Sequence, residues 1–111
     1  MEILFNKKDG ITIFAIKGRL DTSNYETASK EIDKRIAEGE KLFIADLSEM
    51  DYISSSGLRV FLSVLKKLKT EGGNIVLCCI QPKIREVFEI SGFNSLFALT
   101  ESVEEGLEEI K

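Results

Sequence analysis

The sequence predicts an α/β fold: a mixed, mostly parallel β-sheet with an N-terminal antiparallel hairpin, packed against about four α-helices. Three observations predict it. Short apolar runs alternate with longer amphipathic segments, the pattern of strands joined by crossover helices. Asp9-Gly10 separates two strand-like segments, a strong hairpin signal. No internal repeat, linker or low-complexity stretch interrupts the pattern, so residues 1–111 read as a single domain.

Glu2 to Lys8 and Ile11 to Lys17 form the hairpin strands. In the second, Ile11, Ile13 and Ala15 alternate with Thr12, Phe14 and Ile16, so both faces are apolar. Gly18-Arg-Leu-Asp21 reads as a loop. A helix follows from Asn24 to Glu38, with Ser23 and Glu26 fitting a capping box and Gly39 a stop. Lys41 to Asp46 contains the buried-strand run Leu42-Phe-Ile-Ala45. The segment Asp46 to Gly57 reads as a loop. From Met50, Tyr52 and Ile53 in it, one side chain is expected to pack inward and the others to offer an apolar contact surface.

A second helix is expected from about Gly57 to Thr70, with Leu58, Phe61, Leu62, Leu65 and Leu68 at helical spacing. Asn74 to Ile80 reads as another buried strand. Pro82 opens a third helix, where its missing N–H costs nothing, and Ser91-Gly92 closes it. Leu96 to Leu99 suits a short last strand. Ser102 and Glu105 suit a capping box for a final helix carrying Val103, Leu107 and Ile110.

Composition excludes several function classes. The net charge of −4 argues against a nucleic-acid partner. Arg59, Lys66, Lys67 and Lys69 are the nearest approach to a basic face and read as a solvated one. The longest apolar run, Ile75 to Ile80, is far too short to span a membrane, and the N-terminus lacks a signal-peptide pattern. Cys78 and Cys79 are adjacent; neighbours in a strand point to opposite faces, so they are not expected to bridge. Buried free thiols suit a reducing compartment, and a cytoplasmic protein is expected. Histidine is absent, which removes the usual nucleophilic triads and most transition-metal sites. No phosphate-cradling glycine motif occurs. No cofactor and no metal are expected, and the chain does not read as an enzyme.

The serine run Ser54-Ser-Ser56 and Gly57 precede an amphipathic helix. A helix start presents unpaired N–H groups and a partial positive charge, so a hydroxyl there is well placed to carry a phosphate. The simplest alternative is that one serine caps the helix. Asp46 at a strand end also suits a phospho-accepting aspartate, but the acidic pair needed for Mg²⁺ is missing. Asp21 and Asp51 suit either an acid–base pair or, more simply, turn residues. The Gly18–Asp21 loop, the Asp46–Gly57 loop and Gln81-Pro82 all lie at strand ends, where ligands of such sheets gather.

Five pieces of sequence then resemble the STAS domain family, in its stand-alone anti-sigma factor antagonist branch. Gly18-Arg-Leu-Asp21 is similar to a Gly-x-Leu-Asp loop, and Asp46-Leu-Ser48 to an Asp-Leu-Ser strand end. Ile53-Ser-Ser-Ser-Gly-Leu58 is similar to the Ile-Asp-Ser-Ser-Gly-Leu signature. Gly72-Gly73 and Pro82 to Phe93 are similar to the later strand and helix. The resemblance implies a layer of about four helices on a mixed sheet. It also implies a regulator whose dephosphorylated form binds an anti-sigma factor serine kinase and releases the sigma factor. Phosphorylation by that kinase ends binding, and a phosphatase restores it. The implied acceptor is Ser56, with Ser55 and Ser54 as alternatives. The implied partner-binding residues are Asp21, Tyr52, Ile53, Ser54, Ser55, Ser56, Gly57 and Arg59. Ser54 stands where the family has an aspartate. A STAS signalling scaffold, or a small-ligand or nucleotide-binding module, is the alternative role. A hydrolase using Ser56 would lack an evident base.

Overall fold

The structure, a computed structural model, describes residues 1–110. Strands β1 (Glu2–Lys8) and β2 (Ile11–Leu20) form the antiparallel hairpin. Its turn puts Asp9 and Gly10 at φ 54° and 78°, the twist that two-residue hairpins favour. Then follow α1 (Tyr25–Ala37), β3 (Leu42–Asp46), β4 (Met50–Ile53), α2 (Ser55–Thr70), β5 (Asn74–Cys78) and α3 (Pro82–Ser91). A 3₁₀ turn (Phe93–Ser95), β6 (Ala98–Thr100) and α4 (Val103–Ile110) complete the order. The sheet runs β1-β2-β3-β5-β6, with every pair after the hairpin parallel.

The strand pattern explains the layering. On β3, Phe43 and Ala45 join a large core, while Leu42 and Ile44 face a smaller one. The large core holds Phe14, Ile32, Phe61 and Phe88, so α1, α2 and α3 cover one face of the sheet. The smaller core holds Ile11, Ile44, Val76, Cys78 and Ile110, and α4 covers it. The four helices expected as one layer are therefore three on one face and one on the other. Both faces of β2 are apolar because both are packed.

Several expected elements shift. The Gly18–Asp21 stretch is not a loop: β2 continues to Leu20 and pairs with β4, a strand absent from the sequence reading. Register slips between Gly18 and Arg19, so β4 buries Met50 and Ile53 and exposes the two residues between. A four-residue strand with that burial order carries no period-two signal. Two of its side chains pack inward, where one was expected. The capping box of α1 does not form; Asn24 precedes the helix without a side-chain cap bond. At α4, Ser102 Oγ accepts the Glu105 N–H at 3.1 Å, while the Glu105 carboxylate takes the Glu101 N–H at 2.9 Å. Strand β5 stops at Cys78 because Cys79 turns left-handed, φ 61°. The last strand falls at Ala98–Thr100 instead of starting at Leu96.

Candidate functional site

The expected convergence of strand-end features occurs. The Ser54 N–H donates to the Leu20 carbonyl at 2.9 Å, and the Gly18 N–H to the Glu49 carbonyl at 2.8 Å. The Gln81 Nε2 donates to the Ser48 carbonyl at 2.8 Å. The ends of β2, β3 and β5 are thus tied into one surface that delivers the serine run.

Helix α2 begins at Ser55, two residues before the expected start at about Gly57. Ser54 is its N-cap, in extended backbone, and its Oγ accepts the Gly57 N–H at 3.1 Å. Ser55 and Ser56 are the first two helical residues. The three hydroxyls therefore differ in role. Ser54 uses its oxygen on the cap, Ser55 is exposed, and Ser56 is half-buried. An aspartate at the cap would accept the same bond. Ser54 keeps the cap and omits the charge, and the first turn of α2 holds no acidic residue.

Gly57 is buried, and a Cβ there would lie 2.9 Å from Ile53 Cγ1 and 3.0 Å from the Leu20 carbonyl oxygen. Ile53 is 4% exposed. These two residues, expected among the partner contacts, instead seat α2 on the ends of β2 and β4. They shape the surface from beneath.

Asp21 organises the rim. Its Oδ1 accepts the Ser23 N–H at 3.0 Å and the Ser23 hydroxyl at 2.6 Å. Its Oδ2 lies 3.5 Å from Arg19 Nε. The hydrogen bonds from Ser23, aided by the Arg19 charge, hold the Asp21 carboxyl below its ordinary pKa. Asn24 Nδ2 donates to the Arg19 carbonyl, and the Asp21 N–H donates to Asn24 Oδ1, each at 2.9 Å. This is a turn role for Asp21, not an acid–base one. The Arg19 guanidinium stacks over the ring of Tyr52 at 4.2 Å, and Tyr52 is 41% exposed.

Beside this rim a groove of about 240 Å³ runs between α1 and α2. Tyr25, Ser29, Ser56, Arg59, Val60 and Ser63 line it. The sequence reading missed Tyr25, Ser29 and Ser63. Their signal was present: Tyr25 and Ser29 are four apart on α1, and Ser56, Arg59 and Ser63 recur at helical spacing on α2. Arg59 is exposed, as a partner contact requires. Of the remaining basic residues on α2, Lys67 is engaged by Asp33 of α1 at 2.8 Å. Among the described residues no helix is long and apolar enough to cross a membrane.

Known proteins share this architecture. A protein of Bordetella bronchiseptica, BtrV, whose name places it among the anti-sigma factor antagonists, is 42% identical over 104 residues, covering 94% of this chain and 90% of its own. A Thermotoga maritima structure, similarly named, superposes with a TM-score of 0.93 at 20% identity, over 97% of this chain and 93% of that one. The Bacillus cell fate determinant SpoIIAA in its phosphorylated form superposes with a TM-score of 0.78 at 20% identity, over 99% and 100%. The STAS domain profile matches residues 2–106, and the chain belongs to the STAS domain family.

Proposed function

We propose that this protein is a cytoplasmic anti-sigma factor antagonist switched by phosphorylation of Ser56. The dephosphorylated chain binds an anti-sigma factor that is also a serine kinase, and the sigma factor is released. Phosphorylation of Ser56 by that kinase ends binding, and a phosphatase resets the chain. One observation carries this reading: Ser56 lies in the first turn of α2 and lines the open groove beside Arg59. The names of its relatives support the role.

The switch needs only local electrostatics. A phosphate adds about −1.5 to −2 charge at neutral pH. At a helix start, next to Arg59 and with no acidic residue in that turn, the folded chain tolerates it. At an interface the same group must be desolvated or repelled, which costs affinity. Ser54 is committed to the cap, and this favours Ser56 and Ser55 over it as acceptors. Asp21, Tyr52, Ser55 and Arg59 would form the rest of the contact surface.

The test is incubation with the cognate kinase and ATP, followed by phosphopeptide mass spectrometry and a sigma-release assay. Phosphate is expected on Ser56. Ser56→Ala should retain binding and resist modification, and Ser56→Asp should bind weakly while staying folded. Absence of phosphate on all three serines would falsify the switch.

A further inference from the structure

The ends of β3 and β5 bring together three groups that the serine switch does not use. Asp46 ends β3, Cys78 ends β5, and Cys79 follows it. A carboxylate oxygen of Asp46 and the two Sγ atoms all lie within 4.8 Å of one another. Neighbours in a regular strand would point apart. Cys79 departs from that rule because its backbone is left-handed, φ 61°, and its N–H is held by the Thr100 carbonyl at 3.1 Å. A non-glycine residue rarely adopts that region, so the surroundings must enforce it. The result is two adjacent thiols facing one carboxylate.

We propose that Asp46, Cys78 and Cys79 form a binding site for a thiophilic divalent cation of the zinc and cadmium class. Two sulfurs and one oxygen are a donor set for borderline and soft cations; magnesium and calcium want oxygen alone. Around a tetrahedral zinc, such ligand atoms stand about 3.5–3.8 Å apart. Closing the three donors to that spacing takes side-chain rotation, and the Cys78 thiol gives up the Ala45 carbonyl to which it donates at 3.4 Å. Three protein ligands leave a fourth position for water.

The neighbours are arranged to suit. Asp46 Oδ1 accepts the Ser48 N–H at 3.0 Å, which orients the carboxylate. Cys78 is buried, but Asp46 and Cys79 are half-buried. A groove of about 250 Å³, lined in part by Lys17, Asp46 and Glu49, opens beside the carboxylate of the three. Burial pushes both thiols up, and the carboxylates of Asp46 and Glu104 push in the same direction. Binding forms two sulfur–metal bonds and one oxygen–metal bond, and it releases the two thiol protons to solvent.

The test uses the full chain, reduced with a phosphine, stripped of metal by a chelator and titrated with Cd²⁺. A sulfur-to-cadmium charge-transfer band in the ultraviolet should rise and saturate at one cadmium per chain. Cys79→Ser should lose most of the band, and Asp46→Asn should need more cadmium to half-saturate. Zn²⁺ should raise the melting midpoint of the parent chain and leave that of Cys79→Ser unmoved. A missing band, a band unchanged in Cys79→Ser, or saturation well beyond one cadmium per chain overturns the proposal. Cys78→Ser alters a buried position and is open to misfolding, so the two half-buried variants decide. Circular dichroism on each verifies the fold.

Discussion

Gly57 approaches Leu20 so closely that a Cβ on it would lie 3.0 Å from both the Leu20 carbonyl oxygen and Leu20 Cγ. That carbonyl is already occupied, since it accepts the Ser54 N–H at 2.9 Å. The glycine is needed for space, because α2 must start directly on the end of β2. Gly57→Ala should therefore lift the helix start off the sheet and cost about 1–3 kcal/mol, the range for overpacking. Urea denaturation measures it. A loss below a few tenths would show that Ile53 and Leu20 can give way freely.

Ser54 allows a separate test of the cap. Ser54→Ala removes the acceptor of the Gly57 N–H and should cost about 1 kcal/mol. Ser54→Asp keeps the acceptor and adds a charge at the positive end of the helix. It should be at least as stable as the parent, by up to about 1 kcal/mol at low salt, with the gain shrinking as salt rises. Thermal melts at two ionic strengths separate cap from charge.

How much of this was legible depended on period. The hairpin, β3, α2 and α3 follow from strong local signals: Asp9-Gly10, a continuous apolar run, a wide helical stripe, and Pro82 with Gly92. Strand β4 was illegible because its pairing with β2 slips at Gly18, so Met50 and Ile53 both point inward without alternation. The start of α2 was misplaced for a related reason. Its cap and first turn are Ser54 and then Ser55, Ser56 and Gly57, which carry no apolar stripe, so periodicity began at Leu58. The Ser56 groove depends on α1 lying beside α2, a tertiary fact that spacing suggests only once the pairing is known. Cys79 joined Cys78 and Asp46 through a backbone angle that no propensity of cysteine announces.

Asp21 makes stability depend on acid pH. Its folded pKa is depressed by Ser23 and Arg19, so the unfolded chain binds the proton more readily. Its contribution is present above the unfolded value of about 3.9 and is lost as pH falls through the folded one. Thermal midpoints recorded from neutral pH down to the carboxylate range check the sign. The parent chain should lose more on acidification than Asp21→Asn, which keeps the acceptor for Ser23 and has no charge to lose. Equal slopes would assign the acid sensitivity to other carboxylates.

The last prediction concerns the phosphate itself and joins Ser54 to Arg59. A phosphate on Ser56 would stand one helical turn before Arg59, since residues three apart share a face. Both the guanidinium and the helix start favour the dianion. The second pKa of that phosphate should lie below the ordinary value of about 6. Phosphorus NMR of the kinase-modified chain, titrated across that region, reads it directly. Arg59→Gln should move the value up, because one of the two stabilising charges is gone. Ser54→Asp should also move it up, because a carboxylate at the cap repels the second negative charge. If Arg59→Gln left the value unchanged, the guanidinium would be facing solvent and the helix start alone would hold the phosphate. If Ser54→Asp left it unchanged, the serine at the cap would serve the helix and have no influence on the switch.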